Sequence, residues 1–185
     1  ALDLPEGPLT VANLPMLDVQ ADYLFGAPGA DLDVEGDIRL SKARRLSSFP
    51  GYVFGPYDAQ GYARTSMVSD TTDASGHARL ALSPEFPQET LGTPFDLTAT
   101  IRVTEGSGRP VERQITRVIG PDGPAIGIKP LFNDGVPEGA NAAFSLIAVD
   151  SALDPLSVPV KWTVNRVTTR YQWYRQYGNW KWEPY

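Results

Sequence analysis

Alternation with a period of two dominates the chain. From Ala30 to Leu40 every even position is apolar or Gly, and every odd one is charged: Asp31, Asp33, Glu35, Asp37 and Arg39. Successive side chains of a strand point to opposite faces, so this stretch buries one face and wets the other, as an antiparallel strand does. Gly36, on the apolar side, marks a bulge or a close backbone approach. Similar runs precede and follow. Leu14 to Phe25 leads into the turn Gly26-Ala27-Pro28-Gly29, and Gly51 to Tyr57 is a shorter candidate bounded by Pro50 and Pro56. Asp73-Ala74-Ser75-Gly76 turns into His77 to Leu82. Phe95 to Val103 alternates cleanly, and Gly106-Ser107-Gly108 turns it into Val111 to Ile119. Recurrent Pro interrupts any long helical pattern, because each removes a donor and fixes φ. Short alternating runs between turn signals about 8–12 residues apart are the mark of a β-sandwich.

Gly120-Pro121-Asp122-Gly123-Pro124 is the strongest punctuation, and it sets a predicted boundary between a domain at 1–120 and another at 121–185. The second holds runs at Ala125 to Pro130, Ala142 to Val149, Val158 to Val167 and Thr168 to Tyr185. They are too few to close a sandwich comfortably. The predicted fold is all-β: two consecutive antiparallel β-sandwich domains of fibronectin or Ig-like kind, the second incomplete.

Composition narrows the chemistry. The 185 residues carry 16 Lys+Arg against 22 Asp+Glu, a net charge of -6, with no Cys and one His. The absence of Cys removes disulfides, thiolate metal sites, Cys nucleophiles and thioesters. Scattered basic residues argue against a nucleic-acid partner, which needs a basic stripe. No apolar run approaches the roughly 18–20 residues that span a bilayer, and Ala1-Leu2-Asp3-Leu4-Pro5 does not read as a signal peptide. A first residue other than Met suggests a mature or excised segment.

Candidate sites are few. Asp31, Asp33, Glu35 and Asp37 carry the oxygens calcium prefers, but residues two apart on a strand lie about 7 Å apart and do not converge on one ion. A solvated strand face, whose charge also discourages edge pairing, is the better reading. His77 lacks an activated partner or further ligands and reads as an ordinary strand residue. The Gly-rich stretches lack a following helix and a Lys-Ser/Thr, so they are turns, not phosphate loops. The most unusual stretch is C-terminal: Tyr171, Trp173, Tyr174, Tyr177, Trp180, Trp182 and Tyr185. Gly178-Asn179 reads as a two-residue hairpin turn, which would set Tyr177 opposite Trp180 and Arg175 opposite Trp182. Tyr171, Trp173, Tyr177, Trp180 and Trp182 then form either a packing surface or an aromatic platform for sugars or a partner protein, with packing favoured.

Several of these segments resemble bacterial alpha-2-macroglobulins. Tyr23-Leu24-Phe25-Gly26-Ala27-Pro28-Gly29-Ala30, followed by Val34-Glu35-Gly36, resembles the strand-turn-strand of their macroglobulin (MG) domains. Thr72-Asp73-Ala74-Ser75-Gly76-His77-Ala78-Arg79-Leu80 is similar to the family's Thr-Asp-x-x-Gly segment. Tyr171-Gln172-Trp173-Tyr174 with Trp180-Lys181-Trp182-Glu183-Pro184 is similar to the aromatic hairpin of the next MG domain. The resemblance implies two macroglobulin-like sandwiches from a large, broad-spectrum endopeptidase inhibitor. In that family a protease cuts an exposed bait region, and the molecule rearranges and traps it, often through a thioester. Bacterial members are typically periplasmic lipoproteins, anchored to the inner membrane and protective against host or rival proteases.

None of the family's reacting residues maps onto this chain. It has no Cys for a thioester, and Leu40 to Pro50, with Lys42 and Arg44-Arg45, reads as a surface loop in preference to bait. The expected role is a noncatalytic scaffold with no catalytic residue, cofactor or metal. Its partners would be target proteases, met through the full-length parent, and neighbouring MG domains; nucleic acid and direct membrane contact are not expected. The alternative is an extracellular adhesion or carbohydrate-binding module that uses the Tyr/Trp hairpin, with a stand-alone enzyme a distant third.

Overall fold

The computed structural model describes residues 1–56, 62–86, 92–106, 108–166, 168 and 170–184. Tyr57, Ser107, Val167, Thr169 and Tyr185, which fall in or bound predicted segments, lie outside them. Among the described residues there is no helix. The strands in chain order are β1 (Leu2–Asp3), β2 (Met16–Gln20), β3 (Asp33–Lys42), β4 (Val53–Phe54), β5 (Tyr62–Ser66), β6 (Asp70–Thr71) and β7 (His77–Ala81). They continue as β8 (Phe95–Thr104), β9 (Val111–Ile119), β10 (Ala125–Pro130), β11 (Phe144–Val149), β12 (Pro155–Leu156), β13 (Tyr171–Gln176) and β14 (Asn179–Pro184). The all-β, antiparallel architecture is the one the alternation predicts.

Two sheets pack face to face over the first apolar core. One has the order β1-β2-β7, the other β5-β3-β8-β9, with β6 also pairing β3. The β3–β8 ladder runs unbroken from Asp33 opposite Thr104 to Lys42 opposite Phe95. It turns Val34, Ile38 and Leu40, with Leu97, Ala99 and Ile101, toward Leu17, Val19, Ala78 and Leu80 of the facing sheet. Gly36 is therefore no bulge. It sits opposite Ile101, and a Cβ there would lie 2.7 Å from the Ile101 Cδ1 and 2.8 Å from the Met67 sulfur, so those two side chains occupy its space.

On the outer face, Asp37 accepts from Arg64 on β5 and from Arg102 on β8, both at 2.8 Å, and Arg102 also meets Glu112 on β9 at 3.0 Å. The Arg64 hydrogen bond, then that of Arg102, holds the Asp37 carboxyl below its ordinary value of 3.8.

The loops before β3 and β7 lock onto one another at one end of the sandwich. Thr72 is buried, and its hydroxyl donates to the Gly29 carbonyl at 2.7 Å while accepting from the Leu32 N–H at 2.8 Å. Its own N–H and carbonyl pair with the Leu32 carbonyl and the Asp31 N–H. Beside it the Asp73 carboxylate accepts from the Ser75 hydroxyl, the Ser75 N–H and the His77 N–H, an Asx turn that keeps its carboxyl low, with the Ser75 hydroxyl the main cause. Gly76 follows at φ 78°, where a Cβ would collide with the Ala21 carbonyl oxygen.

A second core forms where residues 43–54 meet β10 and β11. Ala43, Leu46, Phe54, Ala125 and Val149 are buried together. β4 pairs with β10 in a sheet of order β12-β11-β10-β4. Phe54 lies opposite Gly127, its ring where a side chain at 127 would stand, 2.7 Å from a notional Cβ. The Tyr52 hydroxyl meets the Ser145 hydroxyl at 2.7 Å, and Lys129 lies 5.7 Å over the Tyr52 ring. The Leu40-to-Pro50 segment is thus a packed strap with buried Ala43 and Leu46, rather than a surface loop.

Thr72→Val, which removes a buried two-way hydrogen-bonding hydroxyl, should cost about 1–3 kcal/mol, visible as a lowered melting temperature. Asp37 and Asp73 have lowered folded pKa values, so their stabilisation is complete above the unfolded value and lost as pH falls through the folded one. Burial raises Asp96, whose opposing penalty is relieved as pH falls through its folded value. Melting followed from about pH 6 to pH 2 should show acid destabilisation that is smaller in Asp73→Asn than in the parent.

Candidate functional site: the aromatic hairpin

Aromatic residues at every second position of β13 and β14 share one face because the hairpin keeps paired residues on the same side. Its turn differs from the sequence expectation. Tyr177-Gly178, not Gly178-Asn179, occupies the two central positions, with φ of 50° and 83°. Both are positive, as a type I′ turn requires to match the strand twist. The register therefore pairs Gln176 with Asn179, Arg175 with Trp180, Trp173 with Trp182 and Tyr171 with Pro184. Tyr177 is not opposite Trp180, nor Arg175 opposite Trp182. The corrected register moves Tyr177 from the strand into the turn, keeps the remaining strand residues on their expected faces, and sets two tryptophans directly across from each other.

Trp173 and Trp182 meet at 5.0 Å with planes tilted by 52°, and Tyr171 stacks on Trp182 at 6.1 Å and 12°. The rings are wet: Trp173 is 62%, Trp180 61% and Trp182 56% exposed, and Tyr177 at the turn is 95% exposed. Trp173 and Trp180 line a shallow, open hollow with their ring faces.

The sheet formed by β10, β11 and β12 shows a related imbalance. Ala125, Gly127 and Val149 face the Phe54 core, whereas Ile128, Phe144, Leu146 and Leu156 on the other side are exposed. Val158 to Val164 alternates like a strand, yet these residues form none. Pro159 removes a donor and no described strand beside them supplies a ladder, so Trp162 and Val164 stay in solvent.

The other candidates do not converge. Asp31 is at φ 54° in the turn before β3, Asp33 and Glu35 are exposed, and Asp37 is taken by two arginines. Among the described residues no group of three or more His, Asp and Glu is arranged to hold a metal ion. His77 begins β7 with its Nε2 3.6 Å from Asp18, which Arg79 holds at 2.9 Å. What the sequence reading missed is β5, the two-residue strands β1, β6 and β12, and the strap. Phe49, Tyr52 and Phe54, close together around Gly51, were the available signal for the strap.

A face-to-face sandwich, joined through a strap to a second, half-covered sheet and an exposed aromatic hairpin, defines a tandem of β domains. The comparisons place this tandem. The model for the bacterial alpha-2-macroglobulin MG5 domain matches residues 1–121, and that for bacterial macroglobulin domain 6 matches residues 127–185. Alpha-2-macroglobulins of Xylella fastidiosa strains Temecula1 and 9a5c are 30% identical over 183 residues, covering 95% of this chain and 11% of their own length. The native conformation of Escherichia coli alpha-2-macroglobulin superposes with a TM-score of 0.69 at 24% identity, over 100% of this chain and 13% of that one. Salmonella alpha-2-macroglobulin reacted with methylamine gives 0.69 at 23%, with the same coverage, and both likenesses speak to fold. The chain belongs to the bacterial alpha-2-macroglobulin family, in which it corresponds to the fifth and sixth macroglobulin domains. It spans 11% of the length of the curated relatives it matches.

All four Trp lie between Trp162 and Trp182, so intrinsic fluorescence reports this region alone. With rings this exposed, emission should be red-shifted and readily quenched by acrylamide. Phe54→Ala should cost about 3–5 kcal/mol in thermal melts, because it empties the core the strap shares with β10 and β11.

Proposed function

We propose that the chain is a noncatalytic scaffold segment of a broad-spectrum protease inhibitor that traps its target after bait cleavage. It would be built as two consecutive domains at 1–120 and 121–185. The observation that carries this reading is the tandem match to the fifth and sixth macroglobulin domains across nearly the whole chain. A solved relative is described as a trypsin-activated alpha-2-macroglobulin of Escherichia coli. The chain has no Cys, so it supplies no thioester. Its contribution is mechanical: rigid sandwiches that carry neighbouring domains as the parent rearranges around a protease. The parent's partners would be the proteases it meets and the MG domains beside these two. Its place would be the periplasm, on a lipid anchor in the inner membrane, where it guards against host or rival proteases.

The exposed Trp face keeps a second reading in view, a carbohydrate-binding or adhesion module. A protease challenge separates the two. The segment alone should inhibit nothing, whereas the full-length parent should be nicked, then shield its protease from large substrates and leave small ones accessible. A parent that never protects large substrates ends the inhibitor reading. Quenching of Trp emission by oligosaccharides, with no protection, would establish the alternative.

A further inference from the structure

The turn between β2 and β3 holds two apolar side chains out in water on a stiff base. The Tyr23 N–H donates to the Ala27 carbonyl at 2.9 Å, and the Gly26 N–H to the Tyr23 carbonyl at 2.8 Å. The Tyr23 ring stacks on Phe25 at 5.3 Å and 6°, and its hydroxyl donates to Glu105 at 2.9 Å, just beyond β8. Below the turn, Gly29 donates to the Ala21 carbonyl and accepts from the buried Thr72 hydroxyl. On this base Leu24 is fully exposed and Phe25 is 80% exposed. Turns ordinarily carry polar residues at such tips. A pair of apolar side chains there, already ordered by its own hydrogen bonds, spends little further entropy when a partner covers it.

A cleft of about 440 Å³ opens beside the turn, lined in part by Tyr23, Val103 and Val111. Both signs of charge line it, Asp22 and Glu105 with Arg109 and Arg113. The cleft mixes polar and apolar walls, so the apolar contact at this end of the sandwich is offered by the exposed Leu24 and Phe25.

We infer that Leu24 and Phe25 form a rigid apolar knob that seats in an apolar socket on another domain of the same polypeptide. The occupant follows from chain length. Relatives extend so far beyond this segment that it covers only 11% of them, and tethered domains meet at an effective concentration that a second copy or a foreign protein does not match. This deepens the scaffold reading and rests on its multidomain parent, but not on protease trapping.

Hydroxyl-radical footprinting of the segment and of its full-length parent tests the inference without any inhibition assay. In the segment, Phe25 should label as readily as other exposed aromatics. In the parent, its labelling should be lost to the level of the buried Phe54. Leu24→Ser with Phe25→Asp should leave the segment's melting temperature unchanged, because Leu24 is fully exposed and Phe25 is 80% exposed beside the Tyr23 ring. In the parent, the same pair should expose new apolar residues to label. Equal Phe25 labelling in segment and parent overturns the knob. Protection within the segment also overturns it: if it grows with concentration the occupant is a second copy, and if it does not the tip folds onto this chain. Failure of the parent to inhibit proteases, with Phe25 protected, would sink the inhibitor reading and leave the knob standing.

Discussion

The β3–β8 ladder is the constraint from which the rest of the structure follows. Because it runs in one register from Asp33 to Lys42, it decides for every neighbouring residue whether it enters the core or the solvent. A slip of one residue would send Val34, Ile38 and Leu40 outward and pull Asp37 into the apolar layer, away from Arg64 and Arg102. The same register brings the beginning of β3 beside the Thr72 lock and its end beside Pro94, whose carbonyl accepts from the Ala43 N–H as the strap leaves the sandwich. The rigid turn and the strap are both extensions of this one strand.

The strap changes how the two family-matched segments relate. β4 lies within the first and pairs with β10 of the second, and Phe54 fills a core completed by Ala125 and Val149. Separating them breaks a ladder and wets Phe54. Beyond this junction the apolar side of β10 to β12 and the aromatic side of the hairpin lie open.

Much of the fold was legible. The charged-apolar alternation of β3 and β8 announces itself because a sheet with one wet face leaves that pattern in the residues. Ala125 to Pro130 matched β10 residue for residue, since turn residues bound it on the N-terminal side. β5 did not stand out: Tyr62-Ala63-Arg64-Thr65-Ser66 has little apolar content, and its pairing comes from β3. In the hairpin, Gly178 drew attention to a turn. Which neighbour shared the turn depended on Tyr177 accepting a positive φ, which composition does not disclose.

The sequence by itself determined the all-β class, the main strands and the absence of thiol chemistry, because these depend on local alternation and residue type. Its resemblance to macroglobulin domains named the family on Tyr23–Ala30 with Val34–Gly36, on Thr72–Leu80, and on the aromatic hairpin of Tyr171–Tyr174 and Trp180–Pro184. Only the tertiary structure decided that the Tyr23–Ala30 and Thr72–Leu80 segments form a single lock through the Thr72 hydroxyl, and that Arg44 and Arg45 lie on a packed strap. It also decided which aromatic rings face each other. Those facts are distances between residues far apart in the chain, and they exist only once the register of β3 on β8 has brought the pieces together.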